Sequence, residues 1–130
     1  QEKRIKMGAV ASKWADFTVV TSDNPRKEDP QLICDQICEG FDGKGKYVVE
    51  IDRKDAIEKA IGYAKEGDTV LIAGKGHEPY QVFSHKTIEF DDRVVAKEAC
   101  ELLTSLQEVF EYDRVFLGFM KTKYNNCKEE

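Results

Sequence analysis

Basic charge is in deficit: 20 Lys and Arg stand against 25 Asp and Glu, a formal net charge of −5. The cations are interspersed with acids throughout, which describes a solvated surface and not the concentrated basic face that phosphate contacts need. A nucleic-acid partner is therefore excluded from the expectations. Long hydrophobic runs are also missing; none approaches the roughly 20 residues that cross a bilayer, so no membrane partner is expected. The opening residues QEKRIKMG carry no apolar stretch of a signal-peptide kind. Their abrupt polar start, without an initiator Met, suggests a chain that begins inside a longer protein. Cysteines number four, Cys34, Cys38, Cys100 and Cys127, with no Cys-x-x-Cys pair among them. That spacing fits neither a zinc site nor a secreted disulfide framework, so buried reduced thiols in a reducing compartment are expected.

What is present is an ordinary globular composition, 41% apolar and 35% charged over 130 residues, enough for one core and not two. Helical and strand-like segments alternate. Ile5, Met7, Val10, Ala11 and Trp14 give helical spacing over 3–15, and 17–21 is a short β-rich run. Pro30 suits the first turn of a helix capped by Asp29 and running to Gly40. A glycine-punctuated loop leads to a strand over 47–51, and Asp52 can cap a helix stopped by Gly67. Residues 68–73, DTVLIA, are continuously apolar, the mark of a parallel strand covered on both faces. Two short strands, 81–84 and 87–90, read as a hairpin. Asp91 or Asp92 then caps a helix to about Glu108, and from Val109 the periodicity fades. This alternation predicts an α/β fold: a three-layer, mostly parallel sheet with a C-terminal antiparallel hairpin, spanning residues 3–108 and followed by a tail over 109–130.

Ligands of such open sheets sit beyond the carboxyl ends of the strands, and two loops stand out there. In Asp23-Asn24-Pro25-Arg26 the proline restricts its own φ and biases Asn24 towards an extended conformation. Arg26 offers a planar fork for a carboxylate or phosphate, Asn24 donates and accepts, and Asp23 can accept from an ammonium group. Together they could recognise a zwitterion; equally, Asp-Asn-Pro is good turn chemistry with Arg26 left in water. In Gly74-Lys75-Gly76-His77-Glu78 the glycines allow close backbone approach to a ligand, and Glu78 is a second anchor for an ammonium. The spacing is not that of a Walker A loop. His77 reads as a supporting acid–base group or a structural residue of a tight turn. Asp91-Asp92-Arg93 reads as helix capping with an adjacent ion pair rather than a metal site.

The series ADFTVVTSDNPRKEDP, VEIDRKDAI, GDTVLIAGKGHEPYQ and FDDR resembles the C-terminal domain of the Mur ligases, over about Lys3 to Arg93. Within that family it is similar to the tripeptide synthetases that add diaminopimelate to the peptidoglycan stem peptide. The resemblance implies a Rossmann-like domain that binds the incoming amino acid and closes over a central ATPase domain. In the family, ATP phosphorylates the carboxylate of UDP-N-acetylmuramoyl-L-alanyl-D-glutamate, and the amine of meso-diaminopimelate attacks the acyl phosphate. By position, Asn24 and Arg26 would hold the distal carboxylate and Asp23 the distal amino end. Gly74 and Glu78 would complete that grip, with Lys75 and His77 in supporting places.

The resemblance also marks departures. The family domain opens with a strand and a glycine-rich GGDRD-type loop that this sequence does not contain, so the sheet is expected to lack an interior strand. ATP and Mg2+ belong, by the same resemblance, to the central domain, and no cofactor or metal is expected in this chain. The isolated chain is accordingly expected to be inactive as a ligase. A cytoplasmic location follows from the family, or a plastid one for a plant-type source. Two other readings stand beside this one. One is a non-catalytic Mur-ligase-like interaction or scaffold domain; the other, a small nucleotide-binding protein, suffers from the absence of both G-x-G-x-x-G and Walker A.

Overall fold

The first helix forms where the spacing predicts it but turns a different face inward. In the computed structural model, which describes residues 2–112 with side chains to residue 107, α1 spans Glu2–Trp14. Gly8 is its buried residue, with Arg4, Ile5 and Ala11 half-buried, whereas Met7, Val10 and Trp14 are exposed. Backbone proximity decides this face. A Cβ built on Gly8 would lie 1.9 Å from the Ile37 carbonyl oxygen, and one built on Gly40 2.0 Å from that of Ile5. Two glycines facing each other bring the helices closer than any side chain allows, and that contact overrides the apolar stripe.

Parallel strands β1 (Thr18–Val20) and β2 (Tyr47–Val49) pair with Val19 opposite Val48. The chain crosses between them through α2 (Pro30–Cys38) and a 3-10 turn over Glu39–Phe41. Asp29 caps α2 as expected, accepting from the Gln31 amide at 2.8 Å. The core lies where these elements meet: Val20, Cys34 and Phe41 are buried together, flanked by Ala11, Ile37, Cys38 and Ile51. Burial pushes the Cys34 thiol up to about 11, so it is protonated and inert at neutral pH. Cys38 is half-buried and Cys100 exposed, so the expectation of buried thiols holds fully for Cys34 only; Cys127 lies outside the described residues. Next, α3 (Arg53–Tyr63) starts at the Asp52 cap, whose side chain accepts from the Asp55 amide at 3.0 Å.

Residues 68–73 depart most from expectation. They form no strand, and Leu71 is 86% exposed with Val70 beside it also exposed. The reason is the absence of a neighbour. Strand β1 is paired on one edge only, to β2, and no described residue offers 68–73 a backbone ladder. An apolar run becomes a covered parallel strand only when a partner strand and helices close over it. Among the described residues the parallel sheet therefore has two strands. The hairpin does form, as β3 (Tyr80–Val82) and β4 (Thr87–Glu89), antiparallel with Gln81 opposite Ile88. The last helix, α4 (Asp92–Tyr112), packs on α3 through the buried Ala56, Ile57 and Ala99. Its backbone passes the boundary expected at residue 108, and the rest of the expected tail, 113–130, lies outside the described residues.

The glycine contact gives a direct expectation. Gly8→Ala forces the α1 and α2 backbones apart and should destabilise the domain by roughly 2 kcal/mol or more, despite its better helix propensity. Urea unfolding of the two chains measures this; equal or greater stability of Gly8→Ala would show that the helices separate freely.

Candidate functional site

Both loops singled out by their residues come together, and Asn24 is the link. The Asn24 Nδ2 donates to Glu78 Oε2 at 2.6 Å, while its Oδ1 accepts from the Val82 amide at 2.9 Å. The next contact follows two residues on, where the Arg26 amide donates to the Val82 carbonyl at 3.0 Å. The DNPR loop thus lies along β3 and meets Val82 as a neighbouring strand would, with the Asn24 side chain supplying one of the two bonds. Asp23 accepts from the Asn24 amide at 2.6 Å, an interaction that fixes the start of the loop.

Arg26 stands in the left-handed region, φ 56°. A non-glycine residue there costs on the order of 1 kcal/mol and persists when its surroundings hold it, here through the Val82 bond. Its side chain is exposed and has no hydrogen-bond or ion-pair partner among the described residues. Across the site, Gly74 adopts φ 113°, open to glycine alone in practice, and a Cβ there would touch Asp23 Cβ at 3.7 Å. So Asp23, Asn24, Gly74 and Glu78 are brought together by contacts, with Arg26 on the same loop. The arrangement presents a free guanidinium, two carboxylates and backbone at one edge, which is suited to a ligand carrying both signs of charge.

The two supporting residues sit differently. Lys75 is 4% exposed: its Nζ donates to the Tyr80 carbonyl and lies 5.8 Å and 5.9 Å from the Tyr80 and Phe90 ring centres. It ties the glycine loop to the hairpin from inside. His77 is exposed, with no bonded partner among the described residues.

Three residues that sequence reasoning missed hold the loops from behind. Arg4 of α1 donates to both oxygens of Glu28 at 2.8 Å and 2.7 Å and to Gln36 Oε1 at 2.9 Å, fastening the far end of the DNPR loop. Buried Arg53 forms a fork with Asp92, Nε to Oδ1 at 2.8 Å and Nη2 to Oδ2 at 2.7 Å. The same guanidinium donates to the Ser22 carbonyl at 3.2 Å and the Ala73 carbonyl at 3.0 Å. A signal was available: Arg53 is the first residue of α3, where the helix dipole disfavours a cation unless a specific partner compensates.

Asp91, rather than Asp92, caps α4. Its Oδ1 accepts from the Arg93 amide at 2.9 Å, and its carboxylate pairs with the Arg93 side chain at 2.6 Å. The Arg93 side chain first, and its amide second, hold the Asp91 carboxyl at about 2. Among the described residues no three His, Cys, Asp or Glu side chains gather as a metal would require. Nor does GKGHE form a nucleotide-phosphate cradle, its lysine being turned into the hairpin.

An α/β domain with a parallel β-α-β crossover, a hairpin and two charged loops joined beside them is the class that fold and site define. Residues 1–76 match the family described as Mur ligase, glutamate ligase domain. The chain belongs to the Mur ligases. It is 53% identical over 102 residues to a UDP-N-acetylmuramoyl-L-alanyl-D-glutamate--2,6-diaminopimelate ligase of Prochlorococcus marinus, covering 78% of this chain and 20% of that one. A ligase of the same name from Chlamydia trachomatis is 56% identical over 104 residues, 80% of this chain and 20% of its own. A solved structure of a ligase so named aligns with TM-score 0.71 at 38% identity, over 78% of this chain and 21% of that one. The chain thus spans about a fifth of the length of the relatives it matches.

The cap of α4 carries a pH expectation. Because the folded carboxyl titrates below the ordinary Asp range, the cap stabilises the fold above that range and is lost as pH falls towards 2. A carbon-detected NMR titration of Asp91 should place its midpoint near 2; a midpoint at the ordinary Asp value would mean that the Arg93 pair does not persist in solution.

Proposed function

We propose that this chain is the amino-acid-binding domain of an ATP-dependent ligase of peptidoglycan synthesis, and that its ligand is meso-diaminopimelate. One observation carries the reading: Asn24 joins the DNPR loop to Glu78 of GKGHE and leaves the Arg26 guanidinium without a partner. The family to which the chain belongs, and the names of the relatives it matches, support it.

In this reading Arg26, with the remaining Asn24 N–H, receives the distal carboxylate of diaminopimelate. Asp23 and Glu78 accept from the distal ammonium, and the Gly74 backbone lets that end approach closely. Holding the distal end leaves the other amino group projecting from the domain as the nucleophile. In the whole enzyme a central ATPase domain, using ATP and Mg2+, forms the acyl phosphate of UDP-N-acetylmuramoyl-L-alanyl-D-glutamate. Attack by the projecting amine and loss of phosphate complete the amide. This chain's share of the catalysis is orientation, since a fixed amine makes the attack effectively unimolecular. Its share of the specificity is the distal carboxylate. Lysine lacks that group, so a lysine complex leaves Arg26 unpaired as the site closes. The enzyme to which such a domain belongs works in the cytoplasm, where the nucleotide-linked substrate is made.

Calorimetric titration tests this. The chain should bind meso-diaminopimelate at least about tenfold more tightly than L-lysine, a difference of roughly 1.4 kcal/mol, and Arg26→Ala should erase the preference. Given ATP and the nucleotide substrate, the chain alone should form no amide. Equal affinity for the two amino acids contradicts the assigned ligand; no binding of either favours the non-catalytic interaction domain.

A further inference from the structure

The Arg53–Asp92 pair touches neither loop's charged groups, yet it lies under both loops. Arg53 is 3% exposed and Asp92 6%, and one guanidinium reaches two backbone carbonyls on separate segments. Ser22 is the residue before Asp23, and Ala73 the residue before Gly74. The atoms bonded at 3.2 Å and 3.0 Å are therefore the last carbonyls before the two halves of the site. The Arg53 nitrogens also lie 3.9 Å and 4.0 Å from the point where a Gly74 Cβ would stand. No ladder joins 68–73 to β1 among the described residues, so this guanidinium is the hydrogen-bonded tie across the gap between them. Asp92, from α4, fixes the fork's plane through two bonds and supplies the counter-charge that its burial demands.

We infer that Arg53 and Asp92 are positioning residues: the pair sets the separation of the Asp23 and Gly74 loops, and so governs ligand affinity from beneath the site. Four of the five guanidinium N–H groups are committed to this work. A lysine has the charge but not the fork, and could not span both carbonyls while holding Asp92. The inference rests on the proposed ligand only for its affinity readout; the loop spacing itself has an independent one.

The test is chemical rescue. In Arg53→Ala the Asn24 side-chain amide signals should lose the shift caused by the Glu78 bond, and meso-diaminopimelate affinity should fall on the order of tenfold or more. Amides of the core residues Val20 and Phe41 should stay in place. Millimolar ethylguanidinium should restore both the Asn24 signals and the affinity, whereas ethylammonium, equal in charge, should restore neither. Asp92→Asn is the second variant: it should show the same losses and no rescue, because Arg53 still fills the space. Persistence of the Asn24–Glu78 signature in either variant overturns the inference. So does displacement of the core amides together with failure of both cations, since the pair would then be an element of the general fold. Should the parent chain fail to bind meso-diaminopimelate, the ligand assignment falls and the positioning role is decided by the Asn24 signals alone.

Discussion

The site depends on one side-chain amide that faces two ways. Asn24 uses its oxygen to complete the pairing of its own loop with β3 and its nitrogen to hold Glu78. Either bond alone would leave one half of the site free to drift. Together they make a turn after β1 and a loop before β3, 54 residues apart in the chain, into a single surface. Proline next to Asn24 narrows the directions in which that amide can point, and the left-handed Arg26 that follows releases its side chain to the outside. An Asn-Gly turn would reverse the chain but could not fasten this loop to β3 and present a cation at the same time.

Around this joint the domain is unevenly built. The glycine contact of α1 with α2 and the cluster of Val20, Cys34 and Phe41 give one dense region. The other region is thinner: a two-residue turn at the glycine loop, an apolar segment without a ladder, and α4 with Leu102, Leu103 and Leu106 exposed. Polar ties therefore carry the positioning there. Arg53 spans the segments by its carbonyl bonds, and Lys75 holds the glycine loop to the hairpin. Buried charges of this kind add little net stability but cost several kcal/mol when one partner is removed. They act as fixed spacers.

Much of this was legible from the residues. Asp29 and Asp52 announced their helices as caps, the hairpin stood out by its short β-rich runs, and the two site loops by charge beside glycine or proline. What could not be read follows from physics that is not local. Helical spacing marks Ile5, Met7, Val10, Ala11 and Trp14 as apolar positions, and of these Ile5 and Ala11 turn inward; Gly8 between them carries the closest contact, because a missing side chain leaves no signal in an apolar pattern. The run 68–73 reads as a covered strand, since sequence records propensity but not whether a neighbour is there to pair. The distal partners of Arg53 lie 20 to 39 residues away, beyond any motif window. Lys75 stands in a supporting place by resemblance, and only the fold shows that its Nζ is turned into the hairpin, onto the Tyr80 carbonyl.

The central claim is that the DNPR and GKGHE loops form one unit through Asn24 and Glu78. A double-mutant cycle measures it most directly: urea unfolding of the parent chain, Asn24→Ala, Glu78→Ala and the double variant. A half-buried, charge-assisted bond should give a coupling of roughly 1–2 kcal/mol between the two sites. Additivity of the two substitutions within about 0.3 kcal/mol would contradict it, since the loops would then be neighbours that do not hold each other.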